Sequence, residues 1–479
     1  MAAGLIFFPW ILAALAWIIP SNRYRIYLVP FAGIFHTVAT IFILTRPDLQ
    51  VINSYLTLDA PGRLVLLTVS VLYLCCSIYA VGYLNNHLDR PNKGFCSFML
   101  AFLGMMTLVT WSQHLGLMWV AMEATTLTTA PLIYFNYHER SIEATWKYLL
   151  ICSVGIALAL LGTFCLAYAS IKGGGTPSLF IPDLLASAPL LSKEWLKISF
   201  VFILIGYGTK MGLAPMHTWK PDAYGEASGI VGALLAGGLT NCAFLALLRI
   251  YTINRAAGDF SSSHHLLLIM GLLSMAAAAV FMMGQTDIKR MLAYSSVEHM
   301  GLITLGLGLG GSASWGAMFH LVNNGLTKGM LFLAAGNITH AFGGKSLTDI
   351  KGALKLLPLS AGLFLVGFIA ITGSPPFSPF ISEFMILNGS FLTGNYLVGG
   401  LLLLFLLIVF IGMGRTVLTA LQGHRAESTE PTETLKESVL TVLPILVLFA
   451  LILVLGIFMP EPLRHLIQDA QSYLEVNHG

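Results

Sequence analysis

The stretch LKISFVFILIGYGTKMGLAPMHTW, residues 196–219, puts Lys210 behind a long apolar run and just ahead of Pro215. An ammonium in hydrocarbon costs roughly 2.5–3.5 kcal/mol even on insertion scales. A chain keeps such a charge where it faces a wet interior, has a partner and is used. Three further apolar segments repeat the pattern. Glu123 sits in LMWVAMEATTLTTAPLIYF (117–135), Lys328 in FHLVNNGLTKGMLFLAAGNI (319–338) and Glu383 in FISEFMILNGSFL (380–392). Two acids and two lysines within apolar spans read as an ion path.

Composition agrees with a membrane chain. Of the 479 residues 56% are hydrophobic and 10% charged, and the mean hydropathy is +0.81. Apolar runs of about 20 residues, long enough to cross hydrocarbon, recur throughout. A net charge of +3 is too small to suggest nucleic acid. Cys75, Cys76, Cys96, Cys152, Cys165 and Cys242 lie in or near apolar segments without metal spacing. They read as packing thiols, which argues against an iron–sulfur cluster or structural zinc. Neither cofactor nor metal is expected, and nothing pairs the histidines for a haem.

The pattern predicts an all-α integral membrane fold of fourteen spans. They run roughly over 3–20, 26–45, 64–84, 97–112, 115–135, 146–170, 197–217, 228–252, 264–283, 289–310, 314–341, 357–392, 396–421 and 438–459. The N-terminal run MAAGLIFFPWILAALAWIIP lacks a basic region and reads as a first span, not a cleaved signal. Connections after odd-numbered spans carry fifteen Lys and Arg residues, from Arg23 to Arg425 and Lys436; the even side carries eight. By the positive-inside rule the odd side is cytoplasmic and both termini lie outside. The longest polar stretches, 171–196 and 422–437, are too short to fold alone. The tail PEPLRHLIQDAQSYLEVNHG (460–479) allows a short surface helix but no long lateral one.

Two spans read as interrupted. The seventh runs through Gly-Tyr-Gly-Thr-Lys-Met-Gly-Leu-Ala-Pro to Pro215, and the twelfth through TGSPPFSPFISEF (372–384) with Pro375, Pro376 and Pro379. Proline removes an amide donor and clashes with the preceding turn. Freed carbonyls at membrane depth must be buried in protein or line a wet cavity. Kinks without function are common, but here Lys210 and Glu383 lie within five residues of the breaks. Paired broken helices point to inverted repeats around an ion site.

Each charge also has a bland reading. Glu123 could be a structural acid bonded to Thr125, Thr126 or Thr128. Lys210 could snorkel outward, since His217, Trp219, Lys220 and Asp222 suggest a nearby surface. Glu383 could cap the half-helix that restarts after Pro379. His320, Asn324 and Lys328 share one helix face at i, i+4 and i+8. Glu298 and His299, at the start of the tenth span, are weaker candidates, and His299 could be a satisfied core histidine. Asp287, Lys289 and Arg290 read as interface residues, as do His114, His217 and His340.

Four stretches resemble the antiporter-like membrane subunits of respiratory complex I and its relatives: ATWKYLLICSVGIALALLG (144–162), IGYGTKMGLAPMHTWKPDAYGEA (205–227), GQTDIKRMLAYSSVEHMGLI (284–303) and FHLVNNGLTKGMLFLAAGNITH (319–340). The resemblance covers about residues 70–420. Within that superfamily the Ser-Ser-Val-Glu-His-Met-Gly and Trp-Lys-Tyr runs look most like hydrogenase-4 component F of formate hydrogenlyase-type complexes. The resemblance implies two inverted five-helix repeats, spans 4–8 and 9–13. That divides the chain into N-terminal helices (1–96), a first repeat (97–253), a second repeat (264–421) and a C-terminal part (422–479). It implies proton translocation along a hydrated axis, with Glu123, Lys210, Lys328 and Glu383 matching family positions. Glu298, His299 and His320 complete the expected path. Two departures stand out. Asn241, in LTNCAFLALLRI (239–250), stands where many relatives carry lysine or histidine. The loop usually reading Trp-Leu-Pro-Asp-Ala-His-Ser-Glu-Ala-Pro is here Trp219-Lys-Pro-Asp-Ala-Tyr-Gly-Glu-Ala-Ser228.

The implied mechanism is electrostatic. Apolar surroundings weaken a lysine's hold on its proton and a nearby carboxylate strengthens it. A charge pair at about 4 Å is worth about 4 kcal/mol at an effective dielectric near 20, enough to switch occupancy. The energy would come from partners: other membrane subunits, and through them a peripheral redox arm with iron–sulfur subunits and, in the hydrogenase branch, nickel–iron subunits. The chain would be a non-catalytic pumping subunit in a bacterial or archaeal cell membrane. Rival readings are a subunit of a multisubunit sodium/proton antiporter, and a membrane anchor for a hydrogenase or an inorganic-carbon-capturing enzyme.

Overall fold

With no water in hydrocarbon, a spanning segment must pair its backbone groups internally, which favours helices. The computed structural model describes residues 2–86, 88, 90–258, 260–423 and 437–475, and the fold is all-α. Arg425 and Lys436, counted above for the cytoplasmic side, lie outside the described residues. Seventeen helices of eight residues or more carry the described architecture. The first nine are α1 Ala2–Ile18, α2 Leu28–Leu44, α3 Ala60–Asn85, α4 Lys93–Trp111, α5 Leu115–Ile133, α6 Glu139–Lys172, α7 Lys193–Met211, α8 Trp219–Glu226 and α9 Gly229–Ala256. Then follow α10 Phe260–Met282, α11 Ile288–Leu309, α12 Gly311–Phe342, α13 Pro358–Ile371, α14 Ser378–Leu392, α15 Tyr396–Gln422, α16 Val439–Ile457 and α17 Glu461–Glu475.

Eight described helices are long and apolar enough to cross a membrane on composition alone. α5, α7, α11, α12 and α14 fall outside that set, and these carry the charged and histidine candidates. Their polar residues lower the hydropathy while their neighbours shield them. α9 is enclosed completely; the outer helices α6, α10, α15 and α16 bury less than half of their apolar windows. Lipid gives no hydrophobic drive for helix association, so close packing must supply it. Gly206 on α7 lies against Gly155 and Ala159 of α6, and Gly271 of α10 lies against Gly301 of α11. In α9 a π-helical turn, Leu235–Leu239, carries Gly237 past the backbone of Gly325 on α12.

The expected seventh span, 197–217, stops six residues early, at Met211. The expected twelfth, 357–392, is two helices, α13 and α14. Both breaks close alike. Gly212 has φ +76°; its N–H reaches the Thr209 carbonyl at 3.0 Å, and Leu213 N–H reaches Gly208 at 2.8 Å. Gly373 has φ +69°; its N–H reaches Ala370 at 3.3 Å, and Ser374 N–H reaches Ile369 at 3.3 Å. This is the left-handed glycine cap that satisfies the last carbonyls of a helix. Pro215 and Pro376 each follow three residues after the glycine, at cis peptide bonds. Pro379 breaks nothing: it lies in the first turn of α14, where the missing N–H is not needed. Other chain elements pair the remaining polar groups. The Trp219 indole donates to the Thr209 carbonyl at 2.8 Å, and Ala214 N–H donates to Ser274 Oγ at 2.9 Å.

One end of the bundle is pinned by a buried ion pair. Arg249 on α9 donates to both carboxylate oxygens of Asp59 at 2.8 Å and to the carbonyls of Val109 and Thr110 at 2.9 and 2.7 Å. Asp59 also accepts from Gly62 N–H and so caps α3. A buried pair with its hydrogen bonds filled specifies an arrangement, and losing one partner strands the other. The tail helix α17 buries Ile467, Ala470 and Leu474, spaced along one face, and ties back through Arg63–Asp469 at 3.2 Å. All six cysteines are free and buried.

Candidate ion path

The first cluster joins α5, α6 and α7. Lys210, one residue before the end of α7, is fully buried. Its ammonium donates to Thr126 Oγ1 at 2.5 Å and lies 3.5 Å from the Tyr148 hydroxyl. Thr126 in turn donates to Glu123 Oε2 at 3.2 Å, and Ser153 donates to Glu123 Oε1 at 2.7 Å. Lys210 and Glu123 therefore communicate through the Thr126 hydroxyl and do not form a direct ion pair. Of the three threonines named as partners, Thr126 makes the contact; Thr125 and Thr128 bond backbone carbonyls. Lys210 does not snorkel outward: its ammonium lies 5.4 Å from the Tyr148 ring centroid, and Trp219 packs tilted against that ring at 5.0 Å.

The second cluster joins α11, α12 and α14. His320, Asn324 and Lys328 form one buried stripe on α12. Glu298 and His299 lie ten residues inside α11, not at its end, and are also buried. His320 Nδ1 lies 2.8 Å from Ser382 Oγ, and His320 Nε2 lies 2.9 Å from His299 Nδ1. With the Ser382 hydroxyl donated to the Pro379 carbonyl at 2.9 Å, its oxygen accepts from His320 Nδ1–H. His320 Nε2 then accepts from His299 Nδ1–H, and the bare His299 Nε2 faces Glu298 Oε2 at 3.8 Å. This tautomer assignment follows from the donor inventory of neutral imidazole. A proton reaching His299 Nε2 can displace the Nδ1 proton onto His320, so the pair forms a short wire.

Glu383 closes this cluster. Its Oε1 lies 4.0 Å from His299 Nδ1 and makes no hydrogen bond within the protein. It sits on the second turn of α14, and its carboxylate packs against Gly373 in the break. The capping role weighed for it would need a first-turn position. Lys328 Nζ, both amide atoms of Asn324, Asn323 Oδ1 and Asn241 Oδ1 also have no protein partner. Buried polar groups are otherwise nearly all paired, so this run marks where a hydrated passage would lie.

Lys220 was read as a surface residue and is not: it is fully buried. α8 packs between α6 and α11 and presents two faces. Lys220 and Tyr224 turn inward; Asp222 and Glu226 turn to a charged cleft of about 480 Å³. There Asp222 bridges Lys147 at 3.0 Å and Arg290 at 2.6 Å, and Lys345 contacts Glu226 at 2.7 Å. Asp287 caps α11 through Lys289 and Arg290 N–H, and Lys289 reaches the Ala227 carbonyl at 3.1 Å. His114 caps α5, and His217 is buried in the first break.

Ligand atoms of His299, His320 and Glu383 lie within 4.8 Å of one another. The imidazole hydrogen bond at 2.9 Å occupies one nitrogen of each ring, His299 Nδ1 and His320 Nε2.

Residues 112–412 match the family described as NADH:quinone oxidoreductase/Mrp antiporter, TM. A hydrogenase-4 component F homolog from Methylacidiphilum infernorum is 35% identical over 400 residues, 81% of this chain and 83% of that protein. NADH-quinone oxidoreductase subunit N from Desulforudis audaxviator is 32% identical over 423 residues, 85% of this chain and 83% of that one. The fold matches a chain of the membrane-bound sulfane sulfur reductase, an archaeal respiratory membrane complex, with a TM-score of 0.87. That match has 22% identity over 99% of this chain and 97% of the other. The chain belongs to the antiporter-like membrane subunits of the complex I, Mrp and hydrogenase superfamily, and is a multi-pass integral membrane protein.

Proposed function

We propose that the chain is a proton-translocating subunit of a complex I-like respiratory or hydrogenase complex, driven by redox energy from partner subunits. One observation carries this reading: two clusters of ionisable and hydrogen-bonding side chains, Glu123–Thr126–Lys210 and Lys328–Glu298–His299–His320–Glu383, buried except for the half-buried Glu123, follow one another through the interior. The similar fold-closing at the two breaks supports an arrangement of fourteen spans in two inverted repeats, 97–253 and 264–421, flanked by 1–96 and 422–479. Glu123 steadies the Lys210 proton through Thr126. When a neighbouring subunit draws off or neutralises that acid, the proton moves inward to Lys328. It then passes through Glu298 and the His299–His320 wire to Glu383. The charged cleft beside α8 serves as the mouth on the cytoplasmic side of a bacterial or archaeal membrane, with both termini outside.

A sodium/proton antiporter subunit is the second reading, since the matched family includes the Mrp antiporter. Hard cations take several oxygen ligands. The interior here offers three fully buried lysines, Lys210, Lys220 and Lys328, and a hydrogen-bonded imidazole pair, which favours protons. The test uses the complex isolated through a tag on this chain and placed in proteoliposomes. A potassium diffusion potential set with valinomycin drives flux, and a pH-sensitive dye reports it. Glu383→Gln keeps size and hydrogen bonding but cannot titrate. It should assemble normally and lose most proton flux. Wild-type flux in this variant would remove Glu383 from the path, and sodium-dependent flux would favour the second reading.

A further inference from the structure

We propose that Lys220 is a proton carrier that joins the two clusters, receiving a proton released by Lys210 and passing it towards Lys328. The inference rests on the reading of the interior as a proton path. Lys220 touches both halves of that path. Its side chain packs against Gly212, two residues beyond Lys210, in the α7 break. Its ammonium donates to Ser296 Oγ at 3.0 Å, on the same helix as Glu298 and His299. The Trp219 indole bonded to the Thr209 carbonyl fixes the start of α8, so Lys220 is held where the first cluster ends.

Its surroundings are those of a carrier rather than of a structural ion pair. No carboxylate oxygen lies within the 4.0 Å ion-pair distance of Lys220 among the described residues. The ammonium has one hydroxyl partner and the Tyr224 ring, 5.7 Å to its centroid. Of the charged groups in the second cluster, the Lys328 ammonium on α12 is the one that acts on it, and it repels. Arg249, by contrast, is buried with its donors filled and a carboxylate clamped to it. A buried ammonium without a counter-ion is kept only where it is used, and lysine readily changes protonation state when buried.

The two breaks make the same accommodation. A Cβ on Gly212 would fall on the Lys220 side chain, and a Cβ on Gly373 would fall on the Glu383 carboxylate. Each left-handed glycine thus leaves room for one buried ionisable group. The step is a simple exchange: Lys210 goes from ammonium to amine as Lys220 goes from amine to ammonium. Lys220 then returns to the amine as the proton moves past Ser296 towards Lys328 and Glu298. Asn241, on the enclosed helix α9, donates to the Leu321 carbonyl at 3.2 Å and cannot store a proton.

The test compares Lys220→Met, Lys220→Arg and Lys210→Ala in the same proteoliposomes, with assembly checked by size-exclusion profile. Arginine keeps length and charge but does not release its proton. Both Lys220 variants should assemble, and flux should fall about a hundredfold, the lower end of what a positioned proton carrier contributes. If Lys220→Met fails to assemble, Lys220→Arg decides alone. Wild-type flux in Lys220→Arg overturns the inference, because charge without proton release would then suffice. If Lys210→Ala stops flux while the Lys220 variants conduct, the proton path stands and Lys220 has no part in it. If Lys210→Ala also conducts normally, the proton path itself falls and this inference with it.

Discussion

Thr126 decides how the first acid and the first lysine sense one another. Its hydroxyl accepts from Lys210 and donates to Glu123, so one side chain transmits any change in the acid. Thr126→Val keeps the shape and removes the relay. A hydrogen bond to a charged group is worth about 1.5–3 kcal/mol, so proton flux should fall about tenfold or more, while Thr126→Ser stays near the wild-type rate. A double-mutant cycle sharpens the test. Glu123→Gln and Lys210→Ala should be non-additive in the wild-type background and additive once Thr126 is valine. Persistent coupling in the valine background would mean that the two charges interact across space, without the hydroxyl. The sequence named Thr126 only as one of three threonines within reach of Glu123, and its link to Lys210 was not legible, because threonines are ordinary in apolar helices and most here bond their own backbone. The charges were legible for the opposite reason: an ion in an apolar run has no cheap explanation.

At the scale of elements, the breaks place the chemistry. Gly373 gives the chain its left-handed turn and leaves the space that the Glu383 carboxylate fills. Gly373→Ala adds a Cβ at φ +69°, which costs about 1–2 kcal/mol in backbone strain, and it pushes the carboxylate aside. The variant should assemble, lose a few degrees of thermal stability and lose most proton flux. Unchanged flux would show that the position of Glu383 is not critical. The existence and order of the apolar helices, and both interruptions, could be read from run length and proline. Their ends could not. Pro379 looked like part of the second break but starts α14, where a proline fits. Lys220 looked exposed as one of the polar run His217, Trp219, Lys220 and Asp222, of which Asp222 does face the cleft. A short helix packed between α6 and α11 buries one face of a polar segment, and apolar periodicity carries no signal for that. Glu298 and His299 were weak candidates because a lone acid–histidine pair fits a helix end; their value comes from His320, which reaches them across the helix interface.

At the scale of the whole molecule, the flank beside Glu123 calls for another subunit. Val120 and Leu127 on α5 are exposed, and Glu123 lies between them, half-buried. Across the seam, Trp146, Leu150 and Val154 of α6 are also exposed, with Ser153 turned to the Glu123 carboxylate. The apolar residues alone could face lipid. An acid at their edge is costly there, so a protein neighbour is the better cover, and one that alters the acid would drive the path described above. Leu127→Trp separates these cases. Lipid chains yield to a larger apolar side chain, whereas a packed interface does not, and overpacking costs about 1–3 kcal/mol. Isolated in mild detergent through a tag on this chain, the variant should lose one or more of the membrane subunits that accompany the wild type. It should itself remain folded, with an unchanged melting profile. If the same partners come down in the same ratio, α5 faces lipid at Leu127, and the acid must be switched from within the chain instead.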